Sequence, residues 1–281
     1  MHKPSAFFLN ALLALFTIPS ALAVTVFTTN PAGQSAYETA PPNGTGFSYT
    51  GTVNSSSGVY LGNYSGSYYV LTADHVGSPL NSGSFTFTLG STPSNQIQYN
   101  VVAGSYRQVQ SGLDLGVFAI TSSNTTQLDA LTNLVLGTPM LTTATNLNLI
   151  GYGGGTKRGG FNTPESDQNG ELYENVSYDG YNEVVFTTDF DSLEGQAQAI
   201  PNDSGGGVFN LGPGGLELTG IMVAVDNLAN PTITYSVDVN TYRTQILQAV
   251  PEPASGLLVV SGLLFLGFTS VRRLLQRRPG L

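Results

Sequence analysis

Between residues 24 and 250 the chain carries no long helical periodicity. It carries short apolar or alternating runs, broken by Gly, Pro, Asn and Ser. These runs include Gly58–Leu61, Tyr68–Thr72, Phe85–Leu89, Gln98–Ala103, Gly116–Ile120, Leu147–Tyr152, Glu183–Thr187, Gly207–Phe209, Leu216–Val225 and Thr232–Val237. A period of two buries one face of a strand, and regular punctuation turns each strand back on its neighbour. The pattern predicts an all-β sandwich or barrel. One short helix is expected near the end of this region, over 239–248. There Tyr242, Ile246 and Leu247 share one side, and Asn240 or Thr241 can serve as the N-cap.

The two ends read as address labels. Residues 1–23 open on His2 and Lys3, continue with the apolar run Ala6–Ile18 and close on Ala21-Leu22-Ala23. A basic start, an apolar middle and a small-x-small close form the pattern of a secretory signal peptide. At the other end, residues 254–271 are uncharged, and Arg272, Arg273, Arg277 and Arg278 follow. The length suits a membrane helix, and the arginines place its far side in the cytoplasm. What lies between, residues 24–250, is enough chain for one large domain or two small ones. A polar stretch at 121–133 is the expected break between two halves. Residues 153–181 are Gly-rich and acidic, and read as long surface loops.

Within 24–250 the cations are Arg107, Lys157, Arg158 and Arg243, and 17 acids leave a net charge of −13. Such a surface repels phosphate backbones, which argues against nucleic acid as a partner. No cysteine is present, so disulfides and thiolate metal sites are excluded. The histidines are His2 and His75. Removal of the leader leaves one imidazole, which rules out any metal site that needs two.

Three segments carry the chemistry. In Asn202-Asp203-Ser204-Gly205-Gly206-Gly207 a serine opens a glycine turn, which can expose its Oγ and aim its own N–H at a developing oxyanion. An ordinary Ser/Gly turn has the same composition. In Leu71-Thr72-Ala73-Asp74-His75-Val76 a histidine follows an apolar strand, a rigid place for a general base and also a place for a packed structural histidine. In Gly112-Leu113-Asp114-Leu115-Gly116 a carboxylate sits between two leucines. If buried, it needs a partner, and His75 is the histidine left in the mature chain. A surface aspartate before a strand is the plainer alternative. The order along the chain is His, Asp, Ser, at separations of 39 and 90 residues.

Taken together these segments resemble the trypsin/chymotrypsin-like serine proteases. Leu71–Val76 is similar to that family's L-T-A-A-H motif, Asp114-Leu115-Gly116-Val117 to its D-L-A-(V/L), and Asn202–Gly206 to its G-D-S-G-G. Leu149–Gly153 looks like the G-W-G strand, Leu218–Met222 like the strand beside the substrate, and Tyr235–Gln248 like the run into the C-terminal helix. The resemblance implies two six-stranded antiparallel β-barrels with a short C-terminal helix and a cleft between the barrels. It implies hydrolysis of polypeptide substrates through an acyl-enzyme, with Ser204 as nucleophile, His75 as base and then acid, and Asp114 as its orienter. The backbone N–H groups of Asn202 and Ser204 would form the oxyanion hole, and Gln198, Val223 and Val225 would meet the substrate. No cofactor and no metal are implied.

The sequence departs from the family at four places. Asn202 stands where glycine is usual, so its backbone is expected at positive φ, which Asn tolerates. Gly207 replaces a proline. Asp74 replaces a small residue beside His75 and should favour the imidazolium. Gln198, at the expected base of the specificity pocket, argues against a strict Arg/Lys preference. In trypsin the Asp before the Ser pairs with a newly cut N-terminal amine; Asp203 is present here, and Val24 would be the new N-terminus.

The tail is similar to a PEP-CTERM sorting signal: Pro251-Glu252-Pro253, an apolar helix, an Arg-rich end. That resemblance implies a transient inner-membrane anchor, an exosortase-type processing enzyme as partner, and delivery to the cell surface or beyond in a Gram-negative bacterium. Two other function classes remain open on sequence alone: a catalytically silent trypsin-fold surface binding module, and a structural matrix protein.

Overall fold

The computed structural model describes residues 24–28, 46–79, 85–90, 95–137, 140–212 and 214–250. The expected leader at 1–23, and the expected sorting tail at 251–281 with its membrane segment, lie outside the described residues. Among those described, no helix is long and apolar enough to cross a membrane.

The described chain starts at Val24 and a two-residue strand, β1 (Thr25–Val26). The first unit then follows: β2 (Thr50–Val53), β3 (Ser56–Tyr64), β4 (Ser67–Thr72), the helical turn α1 (Asp74–Gly77), β5 (Thr86–Leu89), β6 (Ile97–Val101), β7 (Arg107–Gln108) and β8 (Gly116–Thr121). The hydrogen-bonded order is β4-β3-β2-β5-β6-β8-β7, and β4 also pairs with β8. That last pairing closes β3-β2-β5-β6-β8-β4 into a six-stranded antiparallel barrel. Closure leaves these strands without an unpaired edge. Tyr60, Phe87, Tyr99 and Phe118 are fully buried within it.

The polar stretch expected to separate the halves holds one helical turn, α2 (Thr126–Asp129), anchored by buried Leu128. The second unit comprises β9 (Val135–Leu136), β10 (Leu147–Gly151), β11 (Arg158–Asn162), β12 (Glu174–Tyr178), β13 (Tyr181–Asp189), β14 (Ala197–Gln198), β15 (Gly207–Gly212), β16 (Gly215–Val225) and β17 (Ile233–Asp238). Its main sheet runs β11-β10-β15-β16-β17-β13-β12, with β9 added parallel to β16. β1 pairs with β14 across most of the chain length, and Val24 and Val26 enter the core of this second unit beside Leu147, Leu149, Phe186, Val208 and Met222.

Two expectations are corrected here. The second unit is not a six-stranded barrel closed by a ladder. The chain past β11 meets β13 at one isolated antiparallel bridge, Glu165–Thr187. Pro164 separates that bridge from β11, and a proline has no N–H to carry a ladder onward. Residues 153–181 are also not loop throughout, since they contain β11 and β12.

The C-terminal helix is present as α3 (Arg243–Ala249), later and shorter than expected, with Tyr242 at the N-cap position instead of Asn240 or Thr241. The Asp238 carboxylate accounts for the delay. It accepts hydrogen bonds from the backbone N–H groups of Asn240 and Thr241 and from the Thr241 hydroxyl. That holds both residues in a turn before the helix begins. Ile246 and Val250 bury the helix against the core.

Candidate active site

β4 ends on buried Leu71 and Thr72, and the chain turns directly into α1. The N–H groups of Val76 and Gly77 both reach back to the Ala73 carbonyl. This tight turn throws His75 out of the strand toward the cleft, where 40% of its side chain is exposed. Asp114 lies just before β8, between Leu113 and Leu115, and is fully buried. The carboxylate that the two leucines bury does find its partner. Asp114 Oδ2 lies 2.7 Å from His75 Nδ1, and Oδ1 accepts the His75 backbone N–H at 3.0 Å. Two bonds to one residue fix both the position and the ring orientation of His75.

Burial alone would lower the basicity of His75. The Asp114 hydrogen bond and the negative charges of Asp114, Asp74 and Glu183 outweigh it and hold the imidazole above its ordinary value. Asp74 is itself engaged. Its carboxylate accepts from the Tyr106 hydroxyl, from the Tyr181 hydroxyl at 2.9 Å and from Gln108 Nε2 at 3.2 Å.

The serine turn lies between β14 and β15. Asp203 is completely buried and organises it. Its carboxylate accepts the backbone N–H groups of Ile200 at 2.9 Å, Gly153 at 2.9 Å and Val24 at 2.8 Å. Burial nonetheless pushes the carboxyl up to about 7, against the pull of these bonds and of Arg158. Gly205 has φ +85, and a Cβ there would meet the Ser57 carbonyl oxygen at 2.1 Å, so only glycine fits. Asn202 has φ 78, the left-handed backbone its place in the motif called for. Ser57, in β3, ties this turn to the first barrel. Its N–H donates to the Ser204 carbonyl at 3.0 Å, its Oγ accepts from Tyr152 N at 2.8 Å, and its carbonyl accepts the Thr72 hydroxyl at 2.7 Å.

His75 and Ser204 line one open cleft of about 530 Å³. The Ser204 hydroxyl is directed to the Val223 carbonyl at 3.4 Å, a long bond. Among the described residues the N–H groups of Asn202 and Ser204 donate to no protein acceptor. Val223 and Val225 line the cleft together with Ile200, Met222 and Leu228. Gln198 does not line it. It is buried in β14, paired with Thr25, and its Nε2 donates to the Ala199 carbonyl.

The Trypsin family model matches residues 33–246. The chain belongs to the trypsin family. It is thus a trypsin-like serine protease by family, and the closed barrel and its cleft agree with that. Among solved structures it is similar to the Rv3671c protease in an inactive form, at 16% identity and a TM-score of 0.52, covering 83% of this chain and 99% of that one. A serine-to-alanine mutant of Rv3671c from M. tuberculosis, also an inactive form, matches at 16% identity and a TM-score of 0.50, covering 82% and 97%. At that identity the likeness is one of fold. No curated protein matches the chain.

Sequence reasoning missed two members of the trypsin-like site, Tyr178 and Glu183. They come from the second unit, on the hairpin of β12 and β13. Tyr178 Oη lies 2.9 Å from Asp114 Oδ2 and 2.7 Å from Glu183 Oε1. Glu183 Oε2 accepts the Asp114 backbone N–H at 2.9 Å. The signal was there to read. Asp179-Gly180, with φ 46 and 89, is a two-residue turn of the hairpin-forming kind, and it pairs Tyr178 with Tyr181.

Proposed function

We propose that the chain is an exported serine endopeptidase that cleaves peptide bonds through an acyl-enzyme on Ser204. The observation that carries this reading is the His75–Asp114 pair, buried on the aspartate side and open on the histidine side, in the same cleft as Ser204. His75 takes the proton of Ser204 and returns it to the leaving amine, while Asp114 holds the ring and balances the imidazolium. Ser204 must first rotate its hydroxyl away from Val223. The N–H groups of Asn202 and Ser204 receive the developing oxyanion. The cleft wall of Ile200, Met222, Val223, Val225 and Leu228 suits an apolar or small side chain of a polypeptide substrate.

The leader would be removed after Ala23 during export, which turns the Val24 N–H that already meets Asp203 into an ammonium group. A buried ion pair would then hold the serine turn. The tail would be recognised by an exosortase-type enzyme and cut, with release to the cell surface of a Gram-negative bacterium after transient anchoring in the inner membrane.

Fluorophosphonate labelling of the exported protein tests the chemistry. Labelling that disappears in both Ser204→Ala and His75→Ala is the expected result. Absence of labelling in the wild type overturns it and leaves the second reading, a silent binding or matrix protein on a trypsin fold. The one observation on that side is the Ser204 hydroxyl directed to Val223.

A further inference from the structure

The phenol of Tyr178 has one proton to give and two carboxyl oxygens within reach, Glu183 Oε1 at 2.7 Å and Asp114 Oδ2 at 2.9 Å. If both carboxyls were ionised, one of these contacts would set two lone-pair oxygens together with no proton between them. A proton on Glu183 Oε1 removes the conflict. Glu183 then donates to Tyr178, and Tyr178 donates to Asp114. The other oxygen, Glu183 Oε2, accepts the Asp114 N–H, as the carbonyl of a neutral acid does. Asp114 is the member that stays ionised, because its carboxylate meets three donors: His75 N, His75 Nδ1 and Tyr178 Oη.

We propose that Glu183, as the neutral acid, and Tyr178 form a hydrogen-bonded pair that positions Asp114, and through it His75. The inference rests on the proposed roles of His75 and Asp114 as base and orienter. The pair belongs to one unit and the residues it supports belong to the other. No proton leaves the chain of bonds; each is shared in place.

The surroundings agree. Glu183 is 3% exposed. Burial pushes its carboxyl up, and the charge of Asp114 adds to that, against the Tyr178 and Asp114 N–H hydrogen bonds and the His75 charge. The titratable groups facing it are His75 on α1, Asp114 before β8, Tyr178 on β12, Tyr181 on β13 and Tyr242 before α3. None is a lysine or arginine that would hold Glu183 as an anion.

The test is a histidine NMR titration of the full chain, with the His75 signal identified by its absence in His75→Ala. In Tyr178→Phe the Asp114 carboxylate loses a donor and holds the imidazolium more strongly. The His75 midpoint should therefore move up by about half a pH unit or more. Glu183→Gln, which removes no charge if the acid is neutral, should leave the midpoint within about 0.2 unit. The protonated-acid carbonyl band of the wild type at pH 7 should vanish from the infrared spectrum of that variant. A downward shift of about half a unit in Glu183→Gln would mean that an anion had been lost, and would overturn the proposal. So would an unmoved midpoint in Tyr178→Phe, or no acid band in the wild type. All three readouts are independent of turnover. A chain that titrates as expected yet never labels with fluorophosphonate would defeat the protease reading and leave the pairing intact.

Discussion

The backbone N–H of Val24 lies 2.8 Å from Asp203 Oδ2, joining residues 179 apart in the chain. Val24 is fully buried, and Gly151 leaves no room for a side chain beside the pair. A new N-terminus at Val24 needs no further movement to reach the carboxylate. Extending the mature start by one residue, or replacing Asp203 with Asn, should lower kcat/KM by on the order of 100-fold, since each removes one pairing of a buried ion pair. The comparison is of steady-state kinetics between processed wild type and variants with leaders of defined length.

If the chain is cut before Val24, the same contact should make stability depend on that cut. In the uncut chain Asp203 is raised to about 7. An acid raised on folding binds its proton more tightly in the native state. The stability this group contributes is therefore greatest below about 4, its ordinary value, and is lost as pH rises toward 7. The cut chain, with an amine opposite the carboxylate, should lose less. Chemical denaturation of both forms at pH 5 and pH 7.5 checks this, and equal losses would disprove it.

For the reaction itself, Ser204→Ala, His75→Ala and Asp114→Asn should each reduce kcat/KM by on the order of 10⁴ or more. Far-UV circular dichroism should remain unchanged for Ser204→Ala, whose side chain makes one long hydrogen bond.

The acid limb of the pH–rate profile reports His75. Because its imidazole is held above the ordinary value, the limb should lie above about 6.5. Asp74→Asn keeps the shape of the side chain and removes a nearby negative charge, so the limb should move to lower pH. A base raised on folding stabilises the native state below its unfolded value. That contribution is lost as pH climbs through the folded one. The stability that His75→Ala removes and kcat/KM should therefore move in opposite directions across this range.

Lys157 is a second buried titration, away from the cleft. Its ammonium donates to the carbonyls of Phe47 and Thr50 at 2.7 Å each and stands 4.5 Å from the Phe47 ring centroid. Burial depresses it to about 7. A lysine depressed on folding binds fewer protons in the native state between that value and its ordinary one, so it makes stability rise with pH over that interval. Lys157→Met should remove that contribution, so the slope of stability between pH 7 and pH 9 should be more negative than in the wild type.

Much of the trypsin fold was legible because strands and motif residues announce themselves locally. His75 and Asp114 meet through the pair of hydrogen bonds described above, Asn202 stands at positive φ, and the ten apolar runs coincide with strands. What was not legible depended on pairing at a distance. Whether the second unit closes turns on Pro164 standing where a ladder would have to pass. The start of α3 turns on the side chain of Asp238. Gln198, expected at the base of the specificity pocket, pairs with Thr25 across β1 and β14 and is buried away from the cleft. Tyr178 and Glu183 were hidden because a Gly-rich acidic stretch reads as loop, although Asp179-Gly180 marks a hairpin. Two tyrosines flanking that turn were the available sign that it does more than connect strands.

The β12–β13 hairpin crosses from one half of the molecule to grip both acids beside His75, Asp114 through Tyr178 and Asp74 through Tyr181. His75 and Asp114 come from one half and Ser204 from the other, so the set is complete only while the halves stay docked. Gentle heating or mild denaturant that slackens the seam would silence the enzyme while both halves still hold their strands. The hairpin makes the seam a fuse, and a half-folded chain would be harmless until its two parts meet.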